Sequence, residues 1–428
     1  MVDGAELHAL IARLYPICRS ITGDGLRQTL RILSEVVPLQ IVEVPSRTPV
    51  LDWTVPLEWN VREAYLIDPR GRRFADLRES SLHLVSYSVP VSARMPLSEL
   101  RAHLHAIPDR PDWIPYRTSY YEPNWGFCLT QRELDALPEG EYQVHIDSTL
   151  APGHLTYGEI ILPGESEQEI LVSAHVCHPS LADDNLSGAV IAAHLARHFA
   201  EQPRRLTLRF LFAPGTIGAI AWLAKNRERL PRIGHGLTLT CLGDAQSFTY
   251  KRTASGVAPI DRAAEYVLRT SGQPYQVIDF FPYGYDERQY NSPGFRLPVG
   301  SLMRARHGQF PQYHTSADDM SFVSPEWLAE SFRVLAALLS LLDGDRRYRN
   351  LQPFGEPQLG RRGLYGALGG RELPGLQLAM LWVLNQSDGT KSLLDVAERS
   401  GIAFETLHAA AGLLLGHGLL APVEERPA

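Results

Sequence analysis

Cysteine is scarce in this sequence, basic charge falls short of acidic charge, and no long apolar run occurs. The four cysteines, Cys18, Cys128, Cys177 and Cys241, lie far apart with no C-x-x-C pair. That spacing argues for reduced thiols in a cytoplasmic protein over a disulfide framework. No segment approaches the ~18 to 20 consecutive apolar residues of a membrane span, so no membrane association is expected. The N-terminus, Met-Val-Asp-Gly-Ala-Glu, is acidic and leads into an amphipathic pattern, which does not read as a secretory signal. With 41 Lys and Arg against 48 Asp and Glu, the net charge is -7. Phosphate recognition needs a basic surface, so nucleic acid is not the expected partner. What is present is ordinary for a soluble globular chain: 428 residues, 44% hydrophobic and 21% charged, enough for two or three domains.

Residues Ala5 to Val37 read as two amphipathic helices split by Thr22-Gly23-Asp24-Gly25. A strand is expected at Gln40 to Val44, closed by Pro45. From about Pro49 to Trp125, Pro, Arg and aromatics become dense, and alternation such as Leu82 to Val89 reads as β-strand. This stretch is expected to be a β-rich insertion, its aromatics forming a small core or roofing a pocket together with Arg117. Past Gly140 the pattern turns to strand, loop, helix, strand. Strands are expected at Glu141 to Ile146, Tyr157 to Leu162, Glu169 to Ala174, Leu206 to Ala213 and Leu237 to Leu242. Helices are expected after Asn185, a candidate cap, and at Ile217 to Leu230 and Ile260 to Ser271. Such alternation implies an α/β sheet covered by helices on both faces.

A Gly- and Pro-rich linker then leads to three helices, Leu376 to Asn385, Ser392 to Ser400 and Phe404 to Leu415, in the order of a winged helix. From Gly375 onward only Lys391, Arg399 and Arg426 are basic, against six carboxylates. The third helix carries no Arg, Lys or Asn where a DNA reader would need them. The module is therefore expected to pack or to contact protein, including a second copy of the chain.

The densest chemistry lies in Ser173-Ala174-His175-Val176-Cys177-His178-Pro179-Ser180-Leu181-Ala182-Asp183-Asp184-Asn185-Leu186-Ser187-Gly188. It ends a strand and opens a helix, where open α/β sheets concentrate catalytic groups. Imidazole and carboxylate are ligands that zinc accepts. A second element, Tyr313-His314-Thr315-Ser316-Ala317-Asp318-Asp319, could close a coordination sphere from the far side of the sheet.

H-x-x-H, then A-D-D-N-x-S-G, then a distant Y-H-T-x-x-D resembles the zinc exopeptidase family of bacterial leucyl aminopeptidases and glutaminyl cyclases. The resemblance covers about Glu141 to Leu342. It implies a mixed α/β sheet and removal or cyclisation of N-terminal residues. Residue by residue, His175 matches the first histidine ligand, Asp184 the bridging aspartate and His314 the last histidine ligand. Gly284-Tyr285-Asp286-Glu287-Arg288-Gln289-Tyr290, followed by Gly294-Phe295-Arg296-Leu297-Pro298, is similar to a family stretch that places Asp286 near the site. The whole chain more closely resembles an uncharacterised aminopeptidase-like family with a β insertion and a winged-helix tail, often found in polysaccharide or natural-product gene clusters. Tyr116-Arg117-Thr118-Ser119-Tyr120-Tyr121, Asn124-Trp125-Gly126-Phe127-Cys128, His175-Val176-Cys177-His178-Pro179-Ser180 and Asp286-Glu287-Arg288-Gln289-Tyr290 carry that likeness. The implied architecture is an exopeptidase-like core (1–48 and 130–351), an insertion (49–129), a linker (352–374) and a winged-helix domain (375–428).

The sequence also departs from the exopeptidase pattern. The family ends the strand matching Leu206 to Ala213 with two glutamates, a general base and a zinc ligand. Aligned on Gly218, those positions are Gly215 and Thr216. Cys177 stands for the aspartate after the first histidine, and the aspartate of the following strand falls near Thr240. His175, Asp184 and His314 then remain as a three-ligand set with one open position, the form of a catalytic single-zinc site. The base is open: Glu287 and Asp286 are the nearest carboxylate candidates, and His178 is either a base or a further ligand. The expected activity is zinc-dependent hydrolysis of a peptide or small amide. An amidase or deacylase acting on a small molecule or sugar is the alternative, and a non-catalytic metal- or ligand-binding protein is a third reading.

Overall fold

The computed structural model describes residues 2–364 and 375–423, which fall into two compact units, residues 1–335 and 336–428. In the first unit the strands of the two larger sheets are β1 (Gln40–Pro45), β2 (Glu58–Ile67), β3 (Arg73–Phe74), β4 (Val91–Pro96), β5 (Glu141–Ala151), β6 (His154–Leu162), β7 (Ser166–His175), β8 (Leu206–Ala213), β9 (Ile233–Leu239), β10 (Phe248–Lys251), β11 (Tyr275–Ile278) and β12 (Val299–Met303). Eight of them build one mixed sheet in the order β1-β6-β8-β7-β9-β12-β10-β11. Its centre, β8-β7-β9-β12, is parallel, and antiparallel pairs flank it.

Every residue of β8 is buried, as the largely apolar run Leu206 to Ala213 requires of a strand covered on both faces. One charge sits inside that run. Arg209 is paired with Glu169 at 2.7 Å and Glu159 at 2.8 Å, and Trp222 Nε1 donates to Glu159 at 3.2 Å. The helix after the histidine-rich loop, Gly188–Ala200, is buried along most of its length because Ala and Gly let it lie close to the sheet. Asn185 caps it as expected: its Oδ1 accepts from Gly188 N at 3.2 Å. Helix Pro259–Thr270 opens with proline at its first position, and Asp261 accepts from Ala258 N at 3.0 Å.

The second sheet of this unit, β3-β2-β5-β4, is antiparallel and takes a central strand from Glu141–Ala151. Leu82 to Val89 is not a strand, contrary to its alternation. Residues 81–88 are all buried, and the segment folds as a short 3-10 turn and loop that joins Phe127 through a single bridge at Leu84. With both sides of the chain covered, its alternation does not report a sheet face. The four cysteines are free thiols.

In the second unit, helices Gly375–Gln386, Leu393–Ser400 and Phe404–Gly416 lie where the pattern placed them. Ser392 and Asp395 form a capping box at the start of the middle helix, and Gly401, at φ 71°, ends it. A three-stranded antiparallel sheet of Arg347–Asn350, Asp388–Ser392 and Leu420–Pro422 completes a winged-helix domain. Its first strand precedes the expected linker, and residues 365–374 of that linker lie outside the described residues. Among the described residues, no helix is long and apolar enough to cross a membrane.

Candidate metal centre

His175 is the last residue of β7, opposite Ala213 at the end of β8, so its side chain emerges where parallel strands stop and helices begin. The chain then turns through Ala182–Ser187, where Asp184 leaves helical geometry at φ -104° and ψ 84°. That excursion turns the Asp184 carboxylate back towards His175. Oδ1 lies 3.0 Å from His175 Nε2, and Oδ2 lies 3.0 Å from His314 Nε2. His178 Nδ1 is 3.4 Å from the same Oδ2 and 3.1 Å from the Asp184 carbonyl oxygen. The structure therefore brings together His175, Asp184 and His314, and adds His178. Donor atoms of His175, His178 and Asp184 all lie within 4.8 Å of one another.

All but one of these side chains are sealed: His175 and Asp184 are 3% and 1% exposed, His178 is 4%, and His314 retains 31%. Burial would raise the Asp184 pKa, but His178, His175 and His314 outweigh it and hold the carboxyl well below its usual range. Burial pushes His175 down to about 4. It acts the same way on His178, yet the Asp184 charge prevails there and raises that imidazole well above its usual value. Asp184 Oδ2 and His314 Nε2 are buried and face each other as an ion pair off ideal hydrogen-bond alignment.

Two further residues, Asp318 and Tyr285, shape the site from within motifs whose sequence alone gives them no role. Asp318 accepts from Asp183 N at 2.7 Å and Asp184 N at 3.0 Å, and so fixes the peptide that carries the central carboxylate. Burial pushes Asp318 up to about 7 against the pull of those two donors. Tyr285 stacks on His175 with ring centroids 3.8 Å apart, and its hydroxyl lies 2.7 Å from His178 Nε2. The spacing of the Tyr-His-Thr-x-x-Asp motif could have flagged Asp318. Nothing local to Tyr285 distinguishes it from a core tyrosine.

The insertion reaches the site through Tyr116. Its ring meets His178 and His314 edge-on at 5.2 and 5.1 Å, and its N–H donates to the His314 carbonyl at 2.8 Å. Arg117, expected beside it, is exposed. Of the two carboxylates expected to move protons, Asp286 is buried, and its Oδ1 has no partner. Burial and the neighbouring Glu287 raise its pKa well above the usual carboxylate range. Glu287 has both oxygens engaged: Oε1 by Lys251 Nζ at 2.9 Å and Oε2 by Tyr285 N at 2.9 Å. Any proton-transfer role for Glu287 must compete with that pairing.

Comparison with known proteins places this geometry in context. A family profile described as "Domain of unknown function (DUF4910)" matches residues 8–345, and a winged helix-turn-helix profile matches residues 346–422. A Clostridium acetobutylicum protein named "Putative polysaccharide biosynthesis protein with aminopeptidase-like domain" is 49% identical over 412 residues, 96% of this chain and 95% of that protein. A crystal structure from the same organism superposes with a TM-score of 0.92 at 48% identity, covering 98% of this chain and 96% of that one. A zinc aminopeptidase from Bacillus subtilis gives a TM-score of 0.57 at 13% identity, covering 79% of this chain and 94% of the other. At that identity the likeness is one of fold: the core is aminopeptidase-like.

Proposed function

This chain belongs to the DUF4910 family, and on that premise we propose that it is a zinc-dependent, aminopeptidase-like hydrolase that cleaves an amide bond. The observation that carries this reading is the convergence of three imidazoles on the buried Asp184 carboxylate, with His175 Nε2 at 3.0 Å, His314 Nε2 at 3.0 Å and His178 Nδ1 at 3.4 Å. A cation held among these nitrogen and oxygen lone pairs would be bound by all of them at once. Three imidazoles and one carboxylate are a donor set that suits zinc. His175, Asp184 and His314 would hold a single ion, with His178 as a further donor. Zinc in such a set lowers the pKa of a bound water to about 7 and polarises a carbonyl.

The chain's own residues supply the rest. Asp318 holds the Asp184 peptide in place through two backbone N–H groups. Tyr116 covers His178 and His314 and keeps bulk water from that side, which strengthens electrostatic interactions beneath it. With Glu287 tied to Lys251 and His178 taken as a donor, the group left to carry a proton is Asp286, whose Oδ1 has no partner. In this reading residues 1–48 and 152–345 form the catalytic part, and the inserted β-rich part extends through Glu141–Ala151, the central strand of its sheet. The winged-helix domain, which takes Arg347–Asn350 as a strand, makes oligomer or partner contacts. The four free thiols suit a reducing, cytoplasmic setting.

Metal analysis of the purified protein tests the centre: about one zinc per chain is expected. Two ions would sink the ligand set, and none would favour a non-catalytic binding protein. Hydrolysis of aminoacyl anilides, with and without chelator, tests the peptidase activity. The name of the C. acetobutylicum relative favours a second reading, an amidase or deacylase acting on a sugar amide during polysaccharide synthesis. Acetylated amino sugars in the same assay separate the two.

A further inference from the structure

Tyr285 belongs to neither the strand nor the loop that carries the donor cluster, yet it touches that cluster at three points. Its ring lies against His175, with centroids 3.8 Å apart and planes inclined by 29°. Its hydroxyl is 2.7 Å from His178 Nε2 and 3.7 Å from Cys177 Sγ. The ring occupies the place a side chain at residue 215 would take: a Cβ built on Gly215 would lie 1.9 Å from Tyr285 Cε1. Gly215 is therefore a steric requirement of Tyr285.

The segment bearing Tyr285 is itself anchored. Glu287 Oε2 accepts from Tyr285 N at 2.9 Å, while Lys251 Nζ donates both to Glu287 Oε1 at 2.9 Å and to the Tyr283 carbonyl at 2.8 Å. Lys251 and Glu287 are 0% and 1% exposed, so the ion pair fixes the backbone on either side of Tyr285 from within the core.

An imidazole can offer Nδ1 to a cation only when that nitrogen is unprotonated, and the proton then resides on Nε2. A partner that accepts from Nε2 selects this tautomer and fixes the ring plane. Tyr285 Oη is the only atom bonded to His178 Nε2 among the described hydrogen bonds, and it can accept while its own hydrogen points elsewhere. Nδ1 faces Asp184.

We propose that Tyr285 is a positioning residue of the centre: its hydroxyl directs His178 Nδ1 towards Asp184, and its ring, admitted by Gly215, closes the cluster on the His175 side. This rests on reading the cluster as a metal centre. Its consequence is that zinc affinity depends on a hydroxyl that does not ligate the ion.

Tyr285→Phe keeps the ring and removes only the hydroxyl. Competition against a chromophoric chelator is expected to give about 10- to 100-fold weaker zinc binding, the usual effect of losing a partner behind a ligand. Stoichiometry should be unchanged, and the melting temperature in excess chelator should fall only by the small amount expected for one lost buried hydrogen bond. In 15N–1H spectra of zinc-loaded protein, the His178 Nε2–H resonance should be present in the wild type and broadened or lost in the variant. Gly215→Ala, which displaces the ring, should weaken zinc binding at least as much. Wild-type zinc affinity in Tyr285→Phe would overturn the proposal while leaving the metal centre standing. Wild-type protein that takes up no zinc would overturn both.

Discussion

Lys251 Nζ lies 2.9 Å from Glu287 Oε1, and neither side chain is exposed beyond 1%. Phe281 covers the ammonium with its ring centroid 4.1 Å away. Removing one member of a buried ion pair leaves the other charge without compensation, typically at about 3–5 kcal/mol. Lys251→Met should destabilise the protein by that order in urea denaturation. Combining it with Glu287→Leu should recover most of the loss, since two apolar groups leave no charge buried. A double variant no more stable than the single one would mean that the pair is worth more than its desolvation.

Proton transfer by Glu287 can be separated from its anchoring role. Glu287→Gln keeps the shape and one acceptor oxygen, and it loses the charge and one of the two anchoring bonds from Lys251 Nζ and Tyr285 N. If Glu287 only anchors the segment, turnover should fall modestly, by roughly tenfold or less, with zinc retained. Loss of 10²-fold or more in kcat with zinc still bound would restore it as the base.

Acid stability should depend on Glu58. Burial would raise its pKa, but Arg27, His154 N and Asn60 outweigh that and bring it down to about 2 from an ordinary 4.5. A carboxyl depressed in the folded state contributes stability that is fully present above pH 4.5 and is lost as pH falls towards 2. Glu58→Gln should flatten the stability profile across that window and leave its shape near neutrality unchanged, as followed by denaturant midpoints at successive pH values.

Zinc and folding should be linked. A ligand that binds only the native state at about 100 times its Kd adds about 2.7 kcal/mol. Chelation should therefore lower the melting temperature of wild-type protein, and the shift should shrink in His175→Ala or His314→Ala. An identical shift in those variants would place the ion elsewhere.

The winged-helix domain should not bind duplex DNA tightly. Its third helix exposes Glu405, His408, Ala409, Gly412 and Leu413, with no lysine or arginine. Fluorescence anisotropy at physiological salt should detect no association. Binding with a steep salt dependence would contradict this expectation.

Much of this organisation is legible in sequence because its signals are local. Leu206–Ala213 reads as a strand since eight consecutive apolar or paired residues suit a chain covered on both faces, and the strand spans those residues. Three helices of the tail follow from helical periodicity, and Asn185 from its place before a helix. His175, Asp184 and His314 were reachable through spacing and resemblance, because metal-type donors at the ends of parallel strands are a recurrent arrangement. Arg347–Asn350 is not legible because three polar residues around a single buried Tyr348 become a strand only when two distant segments pair with them.

The sequence by itself thus determined most of the elements, the class of fold and the residue types able to hold a cation. Only the tertiary structure decided which carboxylate is free. Glu287 and Lys251 are 36 positions apart, and no periodicity couples them, yet their contact turns a candidate base into an anchor. The absence of a side chain at Gly215 looks like a loss until the Tyr285 ring is found in the space it leaves. Reactivity depends on what stands beside a group in three dimensions, and packing between distant segments leaves no mark on local pattern.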